Sequence, residues 1–206
     1  MESKREATKN KLKEKILKTA IKVFFENGYE RTTINQIAKA ADVGTGTAYN
    51  YFDSKADLFI QAMESLVTDQ KYSVIYNIEN IDNDPIKELT QLTHKFFDYI
   101  VNIDIELIKE LFGVIFGTLV KNNNYAKRFY QMDEHYIKQV KQLLNHYIDI
   151  GKLPIDFDID SCTTLIYFSV VLNMLDYLYI EETDVNEVRL FIEKQFKFIL
   201  EDKLIG

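Results

Sequence analysis

Only 7 glycines and 2 prolines interrupt the 206 residues of this chain. With so few residues that break helices or form tight turns, the backbone is steered toward long helices joined by short loops. The apolar positions agree. Ile16, Leu17, Ala20, Val23 and Phe24 fall on one face of a helix predicted from about Thr8 to Asn27, and Gly28 supplies its stop signal. Asp84-Pro85 places a cap and an N1 proline before a helix to about Val101. Another helix spans Asp104 to about Val120, and Asn123 or Asn124 opens a long one that Gly151 closes. Asp158 to about Tyr179 and Asp184 to about Lys203 read as the last two. With the short helices described next, the pattern gives about nine helices and no strand, an all-α fold.

The segment after Gly28 is built differently. Thr33, with Gln36 three residues later, is a capping-box pattern opening a short helix whose buried face is Ile34, Ile37, Ala38 and Ala41. Asp42-Val43-Gly44 reads as a tight turn. Thr45 to Phe52 is a third helix, capped by Gly44 or Thr45, with Val43 and Phe52 as inward anchors. Ser54 caps a fourth, with Asp57 at its third position, running through Leu58, Phe59, Ala62, Met63 and Leu66 toward about Asn77. Two short helices joined by a tight turn and held by a longer helix describe a helix-turn-helix over about residues 33–52. In that motif the second short helix enters the major groove. Thr45, Thr47, Tyr49 and Tyr51 then offer hydroxyls to phosphates, and Gly46 lets the helix approach closely. Asn50 can pair with a base edge, and Thr47 can touch a thymine methyl. As pattern alone, the same residues equally suit a cap, a turn and an ordinary helical hairpin.

The net charge of −7 is unevenly spread. Residues 1–55 hold 11 Lys and Arg against 7 Asp and Glu, and the remainder holds 14 against 25. A basic head on an acidic body suggests an anionic partner for the head alone. Lys11, Lys15, Lys18 and Lys22 fall within about 60° of one another on the first helix, opposite its apolar stripe.

From Lys11 to Met63 the sequence resembles the DNA-binding domain of the tetracycline-repressor (TetR) family of bacterial regulators. The residues that carry the resemblance begin with Ile16-Leu17, Ala20, Phe24-Phe25, Asn27-Gly28-Tyr29 and Thr32-Thr33. They continue with Ile37-Ala38, Ala41-Asp42-Val43, Gly46, Tyr49-Asn50-Tyr51-Phe52, and Lys55 followed by Asp57-Leu58. Beyond Met63 the likeness is one of length and helical character only. The resemblance implies a DNA-binding domain over 1–56 and a helical ligand-binding and dimerisation domain over 57–206. It implies a homodimer formed mainly through the last two helices, bound to double-stranded operator DNA and released by a small-molecule effector. It also implies that Thr33 and Lys55 meet phosphate, that Thr45, Gly46, Thr47 and Asn50 line the groove, and that Tyr49 and Tyr51 reach phosphates. Unlike many members, this recognition helix carries no basic residue, which moves affinity toward the lysine-rich first helix and its tail.

The helix from Asp158 is nearly apolar all round between Leu165 and Leu175, so it must be buried on most sides. Packing it against the last helix and a second copy of both gives a four-helix interface, with Val171, Leu175, Phe191, Ile192 and Ile199 as its contacts. Asn173 and Asp176 on that helix either fix the interface register or meet a ligand. Phe97, Phe112, Phe116, Tyr136 and Asn173 are candidate lining residues for an effector site, which would suit an apolar or aromatic molecule. Ordinary helix packing accounts for most of the aromatic residues.

Other classes find less support. There is no Gly-rich phosphate loop after a strand, no metal-binding His-Glu motif and no nucleophile elbow, so an enzyme is not expected. His94 and Asp98 form an i, i+4 pair, but no Cys or His cluster stands at ligand spacing, and neither metal nor cofactor is expected. Cys162 is the only cysteine. The N-terminal segment lacks the apolar core of a signal peptide, and the apolar run Leu165–Leu175 is shorter than the ~20 residues of a span, which together suggest a cytoplasmic chain without a membrane partner. The remaining alternatives are an activator or ligand-independent regulator of the same fold, or a helical partner-binding protein that does not touch DNA.

Overall fold

The computed structural model describes residues 4–68, 82–119, 131, 133–180 and 184–205. Among these, nine α-helices follow in order: α1 Lys4–Asn27, α2 Ile34–Ala40, α3 Thr45–Tyr49, α4 Lys55–Thr68, α5 Pro85–Val101, α6 Ile105–Leu119, α7 Glu134–Asp149, α8 Ile159–Tyr179 and α9 Val185–Leu200. A 3-10 turn at Glu201–Lys203 ends the last helix, and no strand occurs among the described residues. The expected extension of α4 to Asn77 and the helix start at Asn123 or Asn124 lie outside the described residues.

The helices form two compact units, the first holding α1–α4 and α6, the second α5 and α7–α9. In the first, Ile16, Ala20 and Phe24 of α1 are buried together with Leu58, Phe59 and Met63 of α4. Phe24 meets Phe59 edge-on at 4.7 Å, and Tyr29 adds its ring to Phe59 at 4.7 Å. Each fully buried Ile, Leu, Phe or Met among them contributes about 1.5–3 kcal/mol by leaving water. Gly28 closes α1 at φ +76°, with its N–H donated to the Phe24 carbonyl at 2.8 Å, the left-handed stop that glycine adopts without a Cβ clash.

The second unit is capped as its sequence dictates. Asp84 accepts from the Ile86 and Lys87 N–H groups at 3.0 and 3.1 Å, and Asp158 accepts from Ser161 N–H at 3.0 Å. Its core contains Leu89, Leu92 and Phe97 of α5, Val140, Leu144 and Tyr147 of α7, Ile166, Val170 and Met174 of α8, and Ile192 and Phe196 of α9. By length and composition α8 alone qualifies as a membrane span among the described residues, more than its interrupted apolar run suggests. Its row of Cys162, Ile166, Val170, Met174 and Leu178 is buried in the unit, which is how a core helix passes the same test.

Candidate nucleic-acid interface

The start of α2 is fixed by its own side chains. Thr33 donates both its N–H and its hydroxyl to Gln36 Oε1 at 2.8 Å, and Gln36 N–H donates back to Thr33 Oγ1 at 3.2 Å. The chain then reverses through Asp42 at φ +53°, where an aspartate tolerates the left-handed region better than most residues. Asp42 N–H reaches the Lys39 carbonyl and Val43 N–H the Ala38 carbonyl. Gly44 is the N-cap of α3, without a side-chain cap bond. Thr45 donates its hydroxyl to Asn35 Oδ1 at 2.6 Å, tying α3 back onto α2.

The two faces of α3 differ sharply. Ala48 and the following Phe52 are fully buried, while Gly46, Tyr49 and Asn50 are exposed, and Thr45, Thr47 and Tyr51 are half-buried. The helix stops at Tyr49 rather than at Phe52: Asn50 N–H is shared between the Gly46 and Thr47 carbonyls, and Tyr51 N–H turns to Ala48 three residues back, while Phe52 N–H still reaches the Ala48 carbonyl. A Cβ placed on Gly46 would meet nothing within 4 Å. No internal packing therefore demands a glycine here, and its absent side chain leaves the outer surface of the first turn open to an outside body. Asn50, as C-cap, has a held backbone and an outward side chain.

Lys55 is more committed than its sequence position suggests. Its ammonium donates to the Tyr29 carbonyl at 3.0 Å and the Glu30 carbonyl at 3.3 Å, and lies 4.1 Å from the centre of the Tyr29 ring. It pins the loop between α1 and α2 to the start of α4. The structure adds three residues to those picked from sequence. Asn35 holds Thr45, Lys9 of α1 sits 5.9 Å over the Tyr51 ring, and Glu110 of α6 accepts from Tyr29 N–H. Only Asn35 left a signal, as a polar residue on the exposed face of the first turn of α2.

The remaining candidates fall in both units. Phe112 is buried and Phe116 exposed on α6 of the first unit, with rings stacked at 6.0 Å. Phe97 and Tyr136 are buried in the second unit, where the Tyr136 hydroxyl lies 2.8 Å from that of Thr93 and its ring stacks on Phe96 at 4.5 Å. Asn173 donates to the Ser169 carbonyl at 2.6 Å and to Gln195 Oε1 at 2.7 Å, a tie between α8 and α9. Phe191 is exposed, Val171, Leu175 and Ile199 are half-buried, and Ile192 is enclosed in the core of its own unit. His94 and Asp98 both turn to Arg189, through its carbonyl and its guanidinium respectively.

Comparison with known proteins agrees with this geometry. Residues 16–62 match the family described as bacterial regulatory proteins, tetR family. The negative transcriptional regulator IcaR of the biofilm operon icaADBC in Staphylococcus aureus (strain Newman) is 30% identical over 145 residues, covering 64% of this chain and 75% of that protein. A crystal structure of a TetR-family regulator of Mesorhizobium loti superposes with a TM-score of 0.67 at 16% identity, over 95% of this chain and 98% of that one. FadR of Bacillus subtilis, solved in complex with stearoyl-CoA, gives a TM-score of 0.61 at 17% identity over 90% and 96% of the two chains. A capped helix-turn-helix with an open outer face on α3, in a chain 30% identical to a known regulator over three quarters of that protein, belongs to the TetR family of DNA-binding transcriptional regulators.

Proposed function

We propose that this chain is a repressor that binds its operator as a homodimer and is released by a small molecule. The observation that carries the DNA assignment is the outer face of α3, where Gly46, Tyr49 and Asn50 are exposed and no internal contact explains the glycine. On this reading Asn50 reads a base edge, Thr45, Gly46 and Thr47 line the groove, and Tyr49 and Tyr51 approach phosphates. Thr33 and Lys55 flank the helix as phosphate contacts, Lys55 while also holding the α1–α2 loop. Repression rather than activation is supported by the relative IcaR, named as a negative regulator. The protein works by binding, without catalysis, in the cytoplasm where its DNA lies. Residues 1–56 act as the DNA-binding part and 57–206 as the sensing and dimerising part. The dimer forms through α8 and α9, with Val171, Leu175, Phe191 and Ile199 at or beside the contact and Ile192 backing it from within. Its effector is apolar or aromatic, and the candidate contacts are Phe97, Phe112, Phe116, Tyr136 and Asn173, taken singly.

Selection of bound sequences from a random duplex pool tests this. A dimer should enrich a two-fold symmetric site whose half-sites lie one helical turn, or a multiple of it, apart. Asn50→Ala should relax preference at particular base pairs by about 1–3 kcal/mol. The enriched site placed across a reporter promoter should lower expression. A pool that shows no enriched symmetric site, or a reporter that is raised, would overturn the reading.

A further inference from the structure

Among the described residues, nothing packs on the outer face of α1. Lys11, Lys15, Lys18 and Lys22 are all exposed and share one open face of the helix with Glu14 and Thr19. None of the four ammonium groups has an ion-pair or hydrogen-bond partner among the described residues. The arrangement acts against the helix itself. Lys11 and Lys15, and Lys18 and Lys22, are like charges at i, i+4, each pair destabilising by about 0.2–0.5 kcal/mol, and Glu14, four residues before Lys18, offsets only part of this. A protein with net charge −7 has gathered four lysines on one side of one helix. The opposite side of α1 packs on α2 and α4, so the lysine stripe is a separate face from the outer surface of α3.

We infer that this stripe is a second, sequence-independent docking face for duplex DNA, taking phosphates outside the base pairs read by α3. The inference rests on the DNA-binding reading above and extends it to another surface. The spacing suits the partner. Eleven residues of helix rise about 16 Å, and one DNA strand presents about five phosphates over that axial length. Lysine stems are flexible and their ammonium groups are point charges, so they follow a backbone without reading bases. The recognition helix has no basic residue of its own, and this face supplies the charge it lacks.

The test uses the full chain and a 40-base-pair duplex of mixed sequence, with binding followed over a range of salt. Replacing all four lysines by glutamine (K11Q/K15Q/K18Q/K22Q) should weaken binding at low salt by at least about tenfold. The slope of log affinity against log salt should fall by about 0.9 for each lysine that meets a phosphate. The arginine counterpart, with charge kept, should bind like the parent. A variant disabled on α3 by T47E/N50D should keep residual duplex binding that the four glutamines then abolish. Circular dichroism checks that each variant stays helical. If the parent binds and the glutamine variant keeps its slope, the stripe is overturned while the α3 reading stands. If the parent shows no salt-dependent duplex binding, both fall. If poly-glutamate of equal charge competes as well as the duplex, the assignment to DNA is overturned.

Discussion

Glu110 Oε2 of α6 accepts the Tyr29 N–H at 2.6 Å, across 81 residues of sequence. The same carboxylate lies beneath Gly28, where an added Cβ would stand 3.2 Å from Oε1. The loop that follows α1 is therefore held from two sides, by Glu110 on the Tyr29 N–H and by Lys55 on the Tyr29 carbonyl. Both are charge-assisted bonds, about twice as strong as neutral ones. Because this loop leads directly into α2, it links the position of α6 to that of the helix-turn-helix.

Removing that carboxylate should loosen the loop. Glu110→Ala is expected to cost about 1–3 kcal/mol and to raise amide exchange at Tyr29, while Glu110→Gln should retain part of the bond. Gly28→Ala should cost at least about 1 kcal/mol, since it forces a side chain into φ +76° and against Glu110. Hydrogen exchange resolved to the 28–31 segment reads the effect. Unchanged protection at Tyr29 in Glu110→Ala would show that the bond does not hold the loop.

Lys55 makes two testable contributions at once. Lys55→Ala should lower the unfolding free energy by about 1–2 kcal/mol, and the melting temperature with it, through loss of two carbonyl contacts and the Tyr29 ring contact. It should also weaken duplex binding to all sequences and lower the salt slope by about 0.9 per protomer. Lys55→Met, which keeps the stem, should recover part of the packing and none of the slope. A stability loss with an unchanged slope would confine Lys55 to a structural role.

These residues also mark how far the sequence could be read. The signals that were legible are local. The Thr33–Gln36 box, the Gly28 stop and the Asp84-Pro85 start all act within four residues, so spacing alone reveals them. Ser54 accepts from Asp57 N–H as its pattern suggests, but Asp57 returns its own bond to Asp53 N–H, one residue earlier than the usual box. Glu110 and Tyr29 could not be paired from sequence, because a bond across 81 residues leaves no periodic trace. Phe191 and Ile192 read alike as apolar neighbours. On a helix they point 100° apart, which leaves one exposed and the other enclosed.

The second unit should carry a distinct pH dependence. Tyr167 donates its hydroxyl to Asp133 Oδ2 at 2.8 Å, and burial pushes the Asp133 carboxyl up to about 6 against the opposing pull of that bond. In the unfolded chain the group titrates near 3.9. The folded state therefore prefers the protonated acid, and this preference stabilises fully below about pH 4. It is lost as pH rises through about 6, and it amounts to at most about 3 kcal/mol. Urea unfolding at pH 4.5 and 7.5 should show the parent losing more stability over that interval than Asp133→Asn. Identical pH dependence in the two would exclude Asp133 as the group responsible.

The dimer face can be tested against the core directly behind it. Leu165, Phe168, Leu172 and Tyr179 recur within about 60° on α8, and all are exposed. Leu190, Phe191 and Phe198 are exposed over a wider sector of about 100° on α9, Phe198 being 87% exposed. Large apolar side chains stranded in water over two adjacent helices are what an unfilled interface looks like within one protomer. Leu172→Asp places a charge at a position 60% exposed in the protomer, so it should leave the chain helical and cooperatively folded. In a dimer the same charge would be buried without a partner, and association should fail. Operator binding should then weaken by about 10² or more, because two linked heads become two independent ones. Ile192→Asp behaves oppositely: that position is 0% exposed, so the charge should unfold the second unit rather than free an intact monomer. Sedimentation and circular dichroism together separate the cases. A folded Leu172→Asp protein that still sediments as a dimer would remove this face from the interface.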